Sequence, residues 1–209
     1  MISIAVIDYG MGNLHSISKA LEHASTDSKV VVTADPKIVM AADRVVFPGV
    51  GAIRDCMVEL KRTLLLDTVI EASQQKPFLG ICLGMQSLLD HSDENNGIDC
   101  LGVIAGQVRH FDKQQALSEQ RKIPHMGWNT VKQRKHPLWN KISDESRFYF
   151  VHSYYVVPDN DACIAGITPY GVEFCAALVA DNLFAVQFHP EKSQSAGLQL
   201  LNNFIHWNI

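Results

Sequence analysis

The stretch Gly80-Ile81-Cys82-Leu83-Gly84 sets a thiol between two glycines, each two residues away. The run before it, Pro77 to Ile81, is short and apolar, the length of a buried strand; after Cys82 the pattern turns helical through Leu83–Leu89 and ends in the polar Asp90-His91-Ser92-Asp93. Cys82 is therefore expected at a strand-to-helix turn, with the spacing of a nucleophile elbow and Cys in place of Ser. The physical reason for the glycines is crowding: strand and helix can close on so tight a turn only if its neighbours carry no side chain. The backbone N–H of Leu83 is then free to meet a developing oxyanion. A cysteine in an apolar segment is more often a small buried hydrophobe; the paired glycines set this one apart.

A nucleophilic thiol needs a base within hydrogen-bond reach, and the base needs an orienting partner. Of the nine histidines, His15, His23, His91 and His136 fall on polar faces or in loops. His189 closes the apolar run Leu183–Phe188, so it is expected at a strand end, and it is followed by Pro190 and Glu191. Residues i and i+2 project to the same side of an extended chain, and Pro190 stiffens the link. Glu191 can then hold the imidazole in the tautomer that accepts a thiol proton. A surface His-Pro-Glu turn is the plainer reading of those three residues taken alone. His125 and His152 each follow a strand-like run and read as core or interface histidines.

Two such ends must be brought together by a framework, and the first half of the chain supplies one. Ile2–Ile7, Lys29–Thr33, Arg44–Phe47 and Pro77–Ile81 read as buried strands. Helical faces fall between them: Leu14, Ile17 and Leu21; then Ile53, Met57, Leu60 and Leu64; then a segment through Asp67–Gln74. Alternation of this kind gives an α/β fold, a doubly wound, mostly parallel sheet with helices on both faces. Functional groups in such sheets gather at the C-terminal strand ends, here residues 8–13, 48–52 and 82–86. In the second half, residues 107–111, 129–131, 147–151, 163–168, 173–180 and 183–188 read as short strands, an antiparallel β meander added to the α/β core. A last helix over Ser195–Trp207 offers Leu198, Leu201 and Ile205 to the interior. The polar 112–121 stretch reads as an exposed loop of open role. No linker or repeat divides the 209 residues, which are expected to form one domain, 1–209.

Composition narrows the function classes. Apolar residues make up 47% and charged residues 19% of the chain, the balance of a folded protein with a core. The net charge of −4 carries no basic block, so a nucleic-acid partner has no electrostatic footprint. The cysteine count is odd, five, with no C-x-x-C, which speaks against a disulfide framework or a structural zinc site and fits a reducing cytoplasm. The first apolar run has no charged segment before it and reads as a strand rather than a signal peptide, and no run is long enough for a membrane span. No metal or cofactor is called for.

Gly80-Ile81-Cys82-Leu83-Gly84-Met85-Gln86 and Gln187-Phe188-His189-Pro190-Glu191 together resemble the class I (triad) glutamine amidotransferases. The resemblance implies a Cys82–His189–Glu191 triad that hydrolyses the side-chain amide of L-glutamine to glutamate and ammonia. It also implies an oxyanion site shared by the N–H groups of Leu83 and Val50. The substrate's α-amino and carboxylate groups would lie near Gln86, Gly51 and the Ser153-Tyr154 backbone. Gln86 sits one turn from Cys82 on the same helix face; a capping or solvent contact is its plainer role. Asp8-Tyr9-Gly10-Met11-Gly12-Asn13, Pro48–Ala52, Pro124-His125-Met126-Gly127-Trp128-Asn129, Val151–Tyr154 and Lys192-Ser193 resemble, more narrowly, the glutaminase subunits of imidazole glycerol phosphate synthases. That likeness implies a heterodimer with a (β/α)8-barrel cyclase subunit, docked through Asn13, Met126, Trp128 and Lys192. Ile53 stands where such chains more often carry an aromatic. Amidotransferases serving anthranilate, aminodeoxychorismate or a nucleotide, and a non-catalytic subunit, are the alternatives; the Pro124–Asn129 stretch disfavours the first and the complete triad the second.

Overall fold

A computed structural model of the chain describes residues 1–114 and 121–209; the loop expected over 112–121 lies largely outside them. Strands β1 (Ile2–Ile7), β2 (Ser28–Thr33), β3 (Arg44–Gly49) and β4 (Phe78–Cys82) form where the apolar runs stand. Between them lie helices α1 (Leu14–Ala24), α2 (Pro36–Ala41), α3 (Ile53–Arg62) and α4 (Leu66–Gln75). Side chains alternate across each strand. Ile4, Val6, Val46, Leu79 and Ile81 join one core with Ile17 and Leu21 of α1. Ala5, Ile7, Val45, Phe47 and Phe78 join a second with Val39, Ile53, Met57, Leu60 and Val69 of α2–α4. Two cores on two faces are what a doubly wound sheet requires.

The remaining elements are a short α5 (Leu83–Gln86), strands β5 (His91–Ser92), β6 (Ile98–Asp99), β7 (Gly106–His110), β8 (His125–Thr130), β9 (Lys132–Gln133), β10 (Arg147–His152), β11 (Tyr154–Pro158), β12 (Ile164–Tyr170), β13 (Val172–Ala180) and β14 (Leu183–Val186), and the C-terminal helix α6 (Gln194–Ile205). The main sheet runs β2-β1-β3-β4-β14-β13-β11-β7-β5-β6, with β12 and β9 branching from β13. From β2 to β14 every pairing is parallel. The mostly parallel sheet with an antiparallel extension is thus the observed fold, with two adjustments. The run at 183–188 belongs to both parts: β14 pairs antiparallel with β13, as the meander requires, and on its other edge lies parallel to β4, Val186 beside Ile81. And among the described residues β8 pairs with β10 as a separate two-stranded ribbon.

Smaller differences have local causes. The α2 turn was not anticipated, although Asp35 caps it, accepting from Lys37 N–H at 2.8 Å, with Pro36 in the first turn. The strand β11 was also missed. Leu64 leaves the α3 face: its φ is 59° and it is 79% exposed, while Leu65 takes the buried place. The helix after Cys82 stops at Gln86 rather than Leu89. Its last turn tightens, Leu88 N–H bonding to the Met85 carbonyl and Leu89 N–H to the Gln86 carbonyl, and the carbonyls of Ser87, Leu88 and Leu89 accept N–H groups from Leu101, Val103, Ile104 and Gly102.

Candidate functional site

Cys82 ends β4 with φ 55° and ψ −107°, a backbone state that a non-glycine residue adopts at a cost of about 1–3 kcal/mol. The turn is made possible by Gly84, where a side chain would run into the Phe47 carbonyl. On the adjacent strand Gly49 lies opposite Cys82, and a Cβ there would stand 2.5 Å from the Tyr9 hydroxyl and 2.9 Å from Leu83 Cβ. The elbow is therefore built by β3 and β4 together: the strand beside the nucleophile must be as bare as the turn itself. Val50, the next residue, is 39% exposed over the site, and Gly51 follows with φ 102°.

β14 lies on the other side of β4 and carries the chain past Gln187 and Phe188 to His189. His189 N–H donates to the Tyr149 carbonyl of β10, and Ser193 Oγ–H donates to the His189 carbonyl at 2.6 Å, so the backbone is held at both groups. Nδ1 of His189 is 2.8 Å from Glu191 Oε1, both side chains nearly fully buried. A carboxylate can only accept, so Nδ1 carries the proton and Nε2 is left over. Nε2 and Glu191 Oε2 are buried with no hydrogen-bond partner. Burial pushes the imidazole toward neutrality, but the neighbouring Cys82 and Glu191 outweigh it and raise His189 to about 10. Cys82 and His189 line one cavity of about 320 Å³, with Val50, Gly51, Leu83, Gln86, Glu94, His152, Ser153 and Tyr154 around them.

All the residues expected on the substrate side thus converge on this cavity. Gln86 is not a solvent contact: it is buried, and its Nε2 donates to the Tyr154 carbonyl and to Gln187 Oε1, each at 3.0 Å. Gln187 Nε2 in turn lies 3.6 Å from Cys82 Sγ. Two polar residues, one lining the cavity and one behind it, have no role that the sequence assigns. Glu94 sits in a short irregular turn with no distinctive spacing; its Oε2 accepts the Ile53 N–H at 3.0 Å. Gln187 opens the Gln187–Glu191 motif, but nothing in the sequence assigns its side chain a role.

His125 and His152 are partners in the interior. His152 Nδ1–H donates to the Tyr154 carbonyl at 2.7 Å, and His125 Nδ1 is 3.0 Å from His152 Nε2. The Tyr154 carbonyl fixes the tautomer, so His152 Nε2 accepts from His125. Burial holds His152 down to about 3 and His125 to about 4; His136, half-buried against Phe184, is likewise lowered to about 4. His136 is thus less a loop residue than a packing one. These rings stay neutral in the fold, whereas in the unfolded chain they take up protons below about 6.5. The unfolded state then binds more protons, so stability should fall as pH drops from about 6.5 toward 4. Urea midpoints at about pH 7 and about pH 5.5 check this; equal midpoints would show that the imidazoles are not buried neutral.

The four residues expected at a partner interface are exposed, and none of them lines that cavity. Met126 and Trp128 on β8 are 63% and 38% exposed. Trp128 meets the Tyr149 ring edge-on, and Lys192 Nζ stands 5.8 Å from that same ring. Asn13 is exposed and caps α1, accepting from Ser16 N–H, beside a small void shared with Val50 and Glu191.

The glutamine amidotransferase class-I family model matches residues 5–207, and the chain belongs to that family. Within it, two relatives share one name. The chain is 59% identical to the imidazole glycerol phosphate synthase subunit HisH of Pseudomonas putida, covering all of this chain and 99% of the relative. It is 57% identical to the subunit of the same name from Nitrosococcus oceani, with the same coverage. Among solved structures, PurLQS from Thermotoga maritima superposes with a TM-score of 0.72 at 17% identity, covering 98% of each chain, a likeness of fold.

Proposed function

We propose that this chain is the glutamine-hydrolysing subunit of an imidazole glycerol phosphate synthase, with residues 1–209 acting as one glutaminase domain. The observation that carries the reading is the buried His189–Glu191 pair, with its free Nε2, in one cavity with a thiol on a strained strand-to-helix turn. The relatives' shared name supports the pathway.

In this reading Cys82 Sγ attacks the amide carbon of L-glutamine with its proton already passed to His189, which Cys82 and Glu191 raise so that it holds that proton. The oxyanion is met by the N–H groups of Leu83 and Val50. His189 then protonates the departing ammonia, and afterwards serves as base for water attacking the γ-glutamyl thioester. Glu191 holds the ring and stabilises the imidazolium. Gln86 has committed both amide hydrogens, so it offers the substrate only Oε1, an acceptor suited to the α-ammonium; the Glu94 carboxylate suits the same group. Backbone at Gly51, Ser153 and Tyr154 completes the glutamine site.

The ammonia passes to a (β/α)8-barrel cyclase partner, where it enters the imidazole ring of imidazole glycerol phosphate and releases an aminoimidazole carboxamide ribotide. Asn13, Met126, Trp128 and Lys192 form the docking edge, a cytoplasmic heterodimer being the working unit. Five free thiols suit a reducing compartment, and among the described residues no helix is long and apolar enough to cross a membrane. The test is to express the chain in a histidine auxotroph lacking its own glutaminase subunit. Growth without histidine supports the reading, and rescue of a tryptophan or folate auxotroph instead would overturn it.

A further inference from the structure

We propose that Gln187 is a positioning residue for the thiol, its side-chain N–H held on Cys82 Sγ by a hydrogen-bonded chain of one fixed direction. This rests on the reading of Cys82 as the nucleophile. The chain starts at the Tyr154 carbonyl, which can only accept. It takes the His152 Nδ1–H at 2.7 Å and the Gln86 Nε2–H at 3.0 Å, using both lone pairs. Gln86 must therefore turn its nitrogen inward, since its oxygen would face the carbonyl oxygen. Its second hydrogen then goes to Gln187, which must present oxygen to it, 3.0 Å away. With Oε1 committed, the Nε2 of Gln187 is turned toward Cys82 Sγ, 3.6 Å away. A backbone carbonyl thus decides, through two carboxamides, that the sulfur meets a donor rather than an acceptor.

Burial makes the arrangement binding. Gln187 has no exposure and Gln86 is 5% exposed, so neither amide can turn over to water. An N–H directed at sulfur becomes a charge-assisted bond when the thiol gives up its proton, and so favours the attacking form and fixes its rotamer. Gln187 reaches the sulfur from β14, the strand that carries His189, so base and donor are placed by the same element.

Gln187→Met keeps the length of the side chain and removes the donor. In the purified full chain with its cyclase partner, glutamine kcat should fall about tenfold or more, with KM within about twofold. Alkylation of Cys82 by iodoacetamide at neutral pH, without glutamine, should slow to a similar degree. A purely structural role would lower the melting temperature but leave the alkylation rate of the folded fraction unchanged. Wild-type kcat and wild-type alkylation in a folded Gln187→Met protein would overturn the proposal. Should that variant not fold, the wild-type chain still decides it: the Gln187 side-chain ¹H–¹⁵N signal should move on Cys82→Ala, and a signal that stays in place overturns the contact. Neither alkylation nor that signal involves glutamine. A wild-type protein inert toward glutamine would defeat the functional reading without touching this contact.

Discussion

Cys82→Ala protein, paired with its cyclase partner, should lose glutamine-dependent synthesis by at least about 10⁴-fold. The same complex supplied with ammonium salts should work as the wild type does. Both halves follow from the division of labour. The thioester can form only on a sulfur, and Cys82 is the one cysteine among the described residues that lines the cavity; Cys56 and Cys175 are buried, and burial pushes both thiols up, Cys56 to about 12. In the proposed function the second reaction belongs to the other subunit and needs only ammonia. Glu191→Gln should be milder than His189→Asn, because an orienting group is partly replaceable and the base is not. Steady-state glutamate release and cyclisation, measured side by side, check the prediction. Wild-type glutamate release from the alanine variant would remove Cys82 from the chemistry.

The isolated chain should be a poor glutaminase that its partner speeds by about 10²–10³-fold, the worth of one oxyanion donor. The motive lies at Gly49-Val50-Gly51. Gly49 is held against Tyr9 and Leu83, but Val50 is exposed and Gly51 already has a positive φ. A peptide between glycines can turn its N–H toward the thiol or away at small cost. Leu83 contributes its donor in either state, because it begins α5 and has no helical partner for its N–H. A partner seated on the Met126, Trp128 and Lys192 edge, with its nucleotide bound, would have to favour the competent loop by about 3–4 kcal/mol to give that factor. Glutamate release by the chain alone, with the cyclase, and with cyclase plus nucleotide tests this. Equal rates in all three would leave the triad chemistry standing and exclude the switch.

The residues of the proposed triad were legible in the sequence because each is marked by local backbone constraint. Cys82 needs glycines two residues to either side, and Gly84 proves unable to carry a side chain against Phe47. His189 and Glu191 are joined through Pro190, and their 2.8 Å contact is a matter of neighbours along one short stretch. The parallel sheet was legible for a similar reason: strands buried on both faces are apolar throughout, and helices announce their period. Only the tertiary structure could decide what joins distant segments. That β14, antiparallel to β13 on one edge, lies parallel to β4 on the other, bringing His189 to Cys82, depends on edge-to-edge pairing that strand composition does not encode. That the helix after Cys82 ends at Gln86 goes with a last turn tightened to i−3 bonds and tied by its carbonyls to Leu101–Ile104, a distant segment. That Gln187 presents nitrogen and not oxygen to the sulfur is settled by the Tyr154 carbonyl, two side chains away. Hydrogen-bond direction depends on which acceptor stands at the end of the chain, and that acceptor comes from another strand.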